Sequence, residues 1–345
     1  MGYIYTPFTS RVEYCEVKIL KGELLLAEED ALPGNDFDLV LPLIAPTNNE
    51  GWGRVVKHDF FSEVEYPMPK RLVLRYISMA ESACYEIDSL IDDKLAENLW
   101  EKQQKDDPEE PFKDFVVGLA PYGVVTIWLQ GKTRSVLLQT FQAKEAKFNE
   151  MEEAIYGWTI EPRYFKAISR EEIDDDMRQF CYRYVAFEEW WNDDILSWVE
   201  YDKENLYYDD IDIDSVEDHC TDGTYNYLKG DFEQLNYRKA GKPDRITVRW
   251  QEDNNNYLAH FWFSKTMITQ MFNKVFGDNT DVKADLILRL DVKNEMYQIA
   301  LRREGETDAL TIPWFCYQLI VFREDEERFR SSNYNLEPGQ WSWWL

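Results

Sequence analysis

Alternation of apolar and polar positions dominates this chain and predicts strands wherever it is sustained. Residues 1–66 carry short apolar runs, Val12 to Ile19 and Phe37 to Ile44, cut by Pro33-Gly34, Pro42, Pro46 and Asn48-Asn49, a pattern of strands joined by turns. From Pro67 the signals sharpen. Arg71-Leu72-Val73-Leu74-Arg75-Tyr76 alternates as a strand, and Asp92 to Gln103 places Leu95, Leu99 and Trp100 at helical spacing. A loop from Pro108 to Pro111 leads to Phe115-Val116-Val117-Gly118-Leu119. Pro121-Tyr122-Gly123 then turns the chain into Val124 to Leu129, so the two runs are expected to pair as a hairpin. Val136 to Phe141 adds a further antiparallel strand.

A second passage repeats this pattern. Pro69-Lys70-Arg71-Leu72-Val73-Leu74-Arg75-Tyr76 is echoed by Pro243-Asp244-Arg245-Ile246-Thr247-Val248-Arg249-Trp250, with Pro, Arg, apolar, apolar, Arg and aromatic positions in step. A helical stretch follows each copy, Asp92 to Gln103 and then Lys265 to Phe276. A hairpin-like pair comes next, Phe115 to Leu129 in the first and Leu286 to Leu290 with Met296 to Leu301 in the second. Self-similarity of this kind is the mark of an internal duplication.

Charge changes the picture between the copies. Of the 345 residues, 66 are acidic and 38 basic, a formal net charge of -28, and 44% are hydrophobic, enough for a large core. Residues 171–222 hold 19 Asp or Glu and three Arg or Lys, so this stretch carries -16 of the total. Phe180, Tyr182, Tyr184, Phe187, Trp190, Trp191, Trp198, Tyr201, Tyr207 and Tyr208 run through it, unlike a disordered acidic tail. Such a potential repels phosphate backbones and anionic lipid and attracts basic proteins. Aromatic anchors amid steering charges are what a protein interface uses. The candidate partner-binding residues are therefore Glu188, Glu189, Trp190, Asp193, Asp194, Tyr207, Tyr208, Asp209, Asp210, Asp212 and Asp214. Phe180, Tyr184, Phe187 and Trp191 lie at helical spacing and read as the buried side of a helix.

Candidate chemistry is sparse, and no enzyme, cofactor or metal site is expected. His58, His219 and His260 have no partner at metal-ligand spacing. Asp218, His219 and Cys220 are contiguous, and adjacent side chains hold one ion poorly. Asp210-Ile211-Asp212-Ile213-Asp214 imitates the start of a calcium loop but lacks its Gly and closing Glu, and suits an edge strand equally. No nucleophile elbow, phosphate loop or dinucleotide fingerprint occurs, and the acidic pairs Glu188-Glu189 and Asp193-Asp194 fall among too many carboxylates to mark a glycosidase. Cys15, Cys84, Cys181, Cys220 and Cys316 are scattered and odd in number, which reads as reduced thiols in a cytoplasm. No signal-peptide pattern opens the chain and no run is long enough to span a bilayer, although a removed leader would place the protein in a periplasm. Trp341, Trp343 and Trp344 end the chain in a segment expected to close a sheet as its last strand.

The stretch VVGLAPYGVVTIWL, Val116 to Leu129, resembles the core of an uncharacterised family of bacterial proteins that typically shows VGLAPxGxVxxWL. That family's upstream stretch, MPxxLxLxWxSxxExxxY, has its counterpart in Met68 to Tyr85, MPKRLVLRYISMAESACY. Many members look like lipoproteins, and this chain departs from them in having no lipobox. Relatives that sit beside secreted toxins make the resemblance imply a toxin-immunity role.

Together these readings predict an α+β fold: two similar, mostly antiparallel sheets, each with one main helix, and an acidic helical insertion between them. The expected divisions are an N-terminal β-rich segment at 1–66, a first repeat at 67–150, the acidic connection at 151–242 and a second repeat at 243–345. The expected function is an immunity-type inhibitor that sequesters a cognate basic toxin, possible examples being a nuclease or other polymorphic toxin. Two alternatives stand beside it: an acidic mimic of nucleic acid that inhibits DNA-binding proteins, and a carbohydrate-binding protein or enzyme with a concave aromatic pocket.

Overall fold

The structure, a computed structural model, describes residues 2–11, 15, 17–26, 40–43, 52, 64–149, 168–189, 212–229, 236–252, 255–279, 281–290, 297–312, 317–324 and 326–330. Chain contacts divide the protein into two units, Met1–Asp175 and Asp176–Leu345.

The first unit runs β1 (Tyr3–Ile4), β2 (Thr6–Arg11), β3 (Val17–Leu25), β4 (Val40–Pro42), β5 (Glu65–Tyr66), β6 (Arg71–Ser78), β7 (Ala83–Leu90), α1 (Asp93–Asp106), β8 (Phe112–Leu119), β9 (Val124–Gly131), β10 (Arg134–Gln142) and β11 (Lys144–Ala146), and reaches α2 (Arg170–Asp176). One sheet has the order β11-β7-β6-β3-β4, all antiparallel. In the other, β2 lies parallel to β8, which continues antiparallel into β9 and β10. Alternation builds the core: Leu72, Leu74 and Tyr76 of β6, Phe115, Val117 and Leu119 of β8, and Val125, Ile127 and Leu129 of β9 are buried in one cluster with Ala96 and Trp100 of α1. Asp92 caps that helix, its Oδ1 accepting the Leu95 N–H at 2.9 Å. The buried stripe of α1 is Ala96, Trp100 and Gln103, whereas Leu95, expected to face inward, is 40% exposed. Ala96, one position on, takes the inward place expected of Leu95.

The second unit runs β12 (Phe180–Glu189), β13 (Asp212–Cys220), β14 (Tyr225–Lys229), β15 (Arg238–Ala240), β16 (Pro243–Glu252), β17 (Asn255–Phe263), α3 (Lys265–Phe276), β18 (Lys283–Leu290), β19 (Tyr297–Arg303), β20 (Leu310–Ile312), β21 (Tyr317–Arg323) and β22 (Glu326–Arg330). Strands β14-β13-β16-β17-β21-β22 pair in that order, all antiparallel. The second sheet has the order β15-β12-β18-β19-β20, with β12 parallel to β18.

The same succession therefore occurs in both units: a strand parallel to the one after the helix, a hairpin, the helix, and a three-stranded meander. Local detail repeats as well. The β3–β6 ladder slips between Ile19↔Tyr76 and Lys21↔Arg75, and the β13–β16 ladder slips between Ile213↔Trp250 and Ser215↔Arg249. Tyr76 faces Tyr85 across its hairpin with ring centroids 5.5 Å apart, and Trp250 faces Tyr257 at 5.1 Å. Tyr3 and Tyr5 pack on Trp100 of α1, and Phe180 and Tyr182 on Phe272 of α3.

The acidic segment differs from its expected form. Phe180–Glu189 is a strand, and Phe180, Tyr182 and Tyr184 alternate into the core with Arg183 between them. Period 2 and period 3.6 both fit these aromatics; β15 and β18 decide between them by hydrogen bonding to either side of β12. Asp212–Cys220 is likewise a strand, flanked by β14 and β16 and so not at an edge. Among the described residues the segment's helix is α2 alone. The composition breaks at 66, 150 and 242 do not coincide with the division after Asp175, because β2 and β3 pair with β8 and β6. Among the described residues no helix is long and apolar enough to cross a membrane.

Candidate functional site

The two stretches singled out in the sequence meet at the turn between β8 and β9. Tyr122 stands there in the left-handed region, φ 59 and ψ 23, and Gly123 follows with φ 73. A side chain on Gly123 would have its Cβ 2.7 Å from the Ala143 carbonyl oxygen and 2.9 Å from the Tyr85 ring, so glycine is required. Left-handed backbone costs about 1–2 kcal/mol for a residue like Tyr122, and surrounding bonds hold it there. Its N–H donates to Glu81 Oε1 at 2.5 Å, and its carbonyl accepts from Gln142 Nε2 at 2.7 Å and Arg170 Nη1 at 3.3 Å. Its hydroxyl donates to the Ile168 carbonyl at 2.9 Å, and Arg170 also donates to Gln142 Oε1 at 2.6 Å. Beneath the turn, the Tyr76 hydroxyl donates to the Ala120 carbonyl at 3.1 Å. Burial pushes the Tyr85 phenol up, and its hydrogen bond to Glu81 pushes it further.

Further carboxylates lie on the elements that contact this turn. Glu145 pairs with Tyr85 across β11 and β7. At the start of α2, Ser169 and Glu172 cap one another, with the Ser169 N–H donating to Glu172 Oε2 at 2.7 Å and the Glu172 N–H to Ser169 Oγ at 3.2 Å. Glu171, Glu172 and Asp175 project from this helix, and Asp174 accepts from Arg170 Nε at 2.9 Å. The beginning of the acidic stretch thus lies beside Tyr122, which is 36% exposed.

Of the residues chosen from the sequence, Glu188, Glu189, Asp212 and Asp214 lie among the described residues. Glu188 and Glu189 end β12, opposite Arg289 and Leu290 of β18. Trp190, Asp193, Asp194, Tyr207, Tyr208, Asp209 and Asp210 lie outside the described residues, as do Trp341, Trp343 and Trp344. Asp212 opens β13 opposite Gln251, and Asp214, at the β13 bulge, is exposed. Asp214 lines a cleft of about 260 Å³ with Arg249, Trp250, Tyr257, Phe322 and Glu324. Strand alternation separates Asp218, His219 and Cys220: Asp218 and Cys220 turn to the core side, where Arg238 bonds Asp218, and His219 turns to the other face. Among the described residues no group of three such side chains is placed to hold a metal ion.

Sequence spacing missed a cluster that only the ladder assembles. Glu217 Oε1 lies 2.8 Å from His219 Nε2, Arg245 contacts both, and His260 Nδ1 lies 3.0 Å from Thr247 Oγ1. The His219 hydrogen bond holds the Glu217 carboxyl down to about 2, while burial, with Arg245 and Arg249 nearby, holds His260 down to about 4. Alternation of Glu217 with His219 and of Arg245 with Thr247 and Arg249 was the available signal, but the register joining the strands was not.

Residues 8–184 match the family described as "Protein of unknown function (DUF2931)". This chain belongs to the DUF2931 family. The matched region holds both halves of the Tyr122 turn, so the DUF2931 part of the chain contains Glu81, Tyr85, Tyr122, Gly123, Gln142 and Arg170. It ends within β12, leaving the rest of the second unit outside the DUF2931 match. No curated protein and no solved structure matches the chain.

Proposed function

We propose that this DUF2931 protein is an immunity-type inhibitor that binds and neutralises a cognate basic toxin through an acidic, aromatic surface centred on Tyr122. The observation carrying this reading is the turn itself, an exposed aromatic side chain fixed by hydrogen bonds on both sides of its peptide, one of them to Glu81, and bonded through Arg170 to the helix that carries Glu171 and Glu172. A rigid aromatic anchor loses little freedom on binding, and surrounding carboxylates steer a basic partner toward it. Carboxylates standing in for an anionic substrate would occlude the toxin's active site.

Co-purification of the tagged protein with the product of the adjoining gene, at low and high salt, tests the reading. A stoichiometric complex with a basic protein that Tyr122→Ser weakens and Glu171→Lys with Asp174→Lys slows in forming supports it. Capture of many unrelated nucleic-acid-binding proteins, with none from the adjoining gene, replaces it with the mimic.

The cleft in the second unit favours a second reading, a small polar ligand such as a saccharide. Aromatic rings beside carboxylate and guanidinium groups match a sugar's apolar face and its hydroxyls. A thermal-shift screen against mono- and disaccharides tests this; stabilisation lost in Phe322→Ala supports it, and no shift with any sugar ends it.

We also infer that the second unit is a copy of the first. The matched ladder slips, the paired hairpin aromatics and the aromatics packed on Trp100 and Phe272 support this beyond the shared order of elements.

A further inference from the structure

Asp114 precedes the core residue Phe115 on β8, so its side chain lies on the opposite face of the sheet. Register places Thr6, Asp114, Gln130 and Ser135 in one row across β2, β8, β9 and β10. Thr6 is 7%, Gln130 7% and Ser135 1% exposed, and among the described residues neither Gln130 Oε1 nor Ser135 Oγ has a hydrogen-bond partner. Asp114 keeps part of its surface in solvent. These four residues supply a carboxylate, a side-chain amide and two hydroxyls, and none of the four is a cation.

The second unit shows the same row with its cations in place. Pro7↔Phe115 corresponds to Tyr184↔Leu286, so the preceding pair Thr6↔Asp114 corresponds to Arg183↔Asp285, and Gln130 to Arg302. Asp285 is 5% exposed and accepts from Arg183 Nε at 2.8 Å, Arg302 Nη2 at 3.2 Å and the Tyr237 hydroxyl at 3.1 Å. The equivalent carboxylate is thus saturated by guanidinium groups in one unit and left with Thr and Gln neighbours in the other. Consistent with that lack, burial pushes the Asp114 carboxyl up to about 7, with only the neighbouring Lys113 opposing the shift.

We propose that the row Asp114, Gln130 and Ser135 is a binding site for the guanidinium group of a ligand, which takes the place that Arg183 and Arg302 occupy around Asp285. A planar fork of N–H donors suits two carboxylate oxygens with an amide oxygen and a hydroxyl alongside, where the single point of an ammonium would leave acceptors unused. This site stands independently of the toxin reading, since it specifies a chemical group and not a protein.

Isothermal titration of the full chain near pH 8 and at low salt, with acetyl-Gly-Arg-Gly-amide, its citrulline analogue and free L-arginine, tests the proposal. The arginine peptide is expected to bind saturably at about millimolar concentration or tighter. The citrulline peptide, isosteric but uncharged, is expected to bind at least about tenfold more weakly, as is the arginine peptide to Asp114→Asn, the loss of one charge-assisted pair. Ser135→Ala, which removes no charge and little volume, is expected to weaken binding by a few-fold and serves if Asp114→Asn does not fold. Equal affinity for free arginine and the peptide assigns the site to the group alone, and tighter peptide binding to a protein ligand; both support it. Absence of saturation in the wild-type chain, equal binding of the citrulline peptide, or undiminished binding in both variants overturns it.

Discussion

Glu81 Oε1 accepts the backbone N–H of Tyr122 at 2.5 Å across 41 residues of chain, tying the β6–β7 turn to the β8–β9 turn. One carboxylate thereby holds an amide that the left-handed backbone of Tyr122 presents. Glu81→Ala is expected to destabilise the fold by about 1–3 kcal/mol, and Glu81→Gln by less, since its amide oxygen still accepts. Urea unfolding checks this: the midpoint falls while the slope is unchanged.

Gly118 lies under two indole rings. A Cβ there would sit 2.3 Å from Trp128 and 2.4 Å from Trp52 Nε1, and the rings themselves are 5.9 Å apart edge to face. Gly118→Ala is expected to cost about 1–3 kcal/mol through overpacking, and pairing it with Trp52→Phe, which frees space beside the new methyl, is expected to recover part of that loss. Thermal unfolding of the two variants checks the coupling.

Asp218 is 1% exposed and pairs with Arg238 while accepting from the Asn226 N–H at 3.0 Å. Asp218→Asn leaves a buried guanidinium uncompensated and is expected to destabilise the second unit by about 3–5 kcal/mol. Asp218→Leu with Arg238→Met is expected to be milder than Asp218→Asn. Denaturant unfolding of the single and double variants checks the order.

Two groups titrate in the same pH window with opposite signs. Asp114 has its carboxyl raised from 3.8 to about 7, so between those values the unfolded chain has released a proton that the fold retains, and stability falls as pH rises. His260 is lowered from 6.5 to about 4, so between those values the unfolded chain holds the extra proton, and stability rises with pH. Asp114→Asn removes the falling component. Its stability relative to the wild-type chain is expected to increase from about pH 4 to about pH 7, measured by denaturant midpoints.

Strand alternation and turn residues made much of each unit legible. Arg71 to Tyr76, the Pro121-Tyr122-Gly123 turn and the echo at Pro243 to Trp250 carry their conformations in local pattern, because side chains two apart share a face of a strand. Phe180 to Trp191 carried two periods at once, and its aromatics became a strand only because β18 and β15 offered a ladder. Charge alone, at residues such as Asp212 and Asp214, carried no signal of the strand β13 that holds them.

By itself the sequence determined that the chain is rich in strands, that it turns at Pro121-Tyr122-Gly123 and that it is strongly acidic, since each follows from residue type and near-neighbour spacing. Only the tertiary structure decided that Glu81 meets Tyr122, that Glu217, His219, Arg245 and His260 share a face, and that Asp114 stands beside Thr6 and Gln130 while Asp285 stands beside Arg183 and Arg302. Those relationships depend on which strands pair and in what register, and pairing is set by the burial of the whole core, which no local stretch of chain encodes.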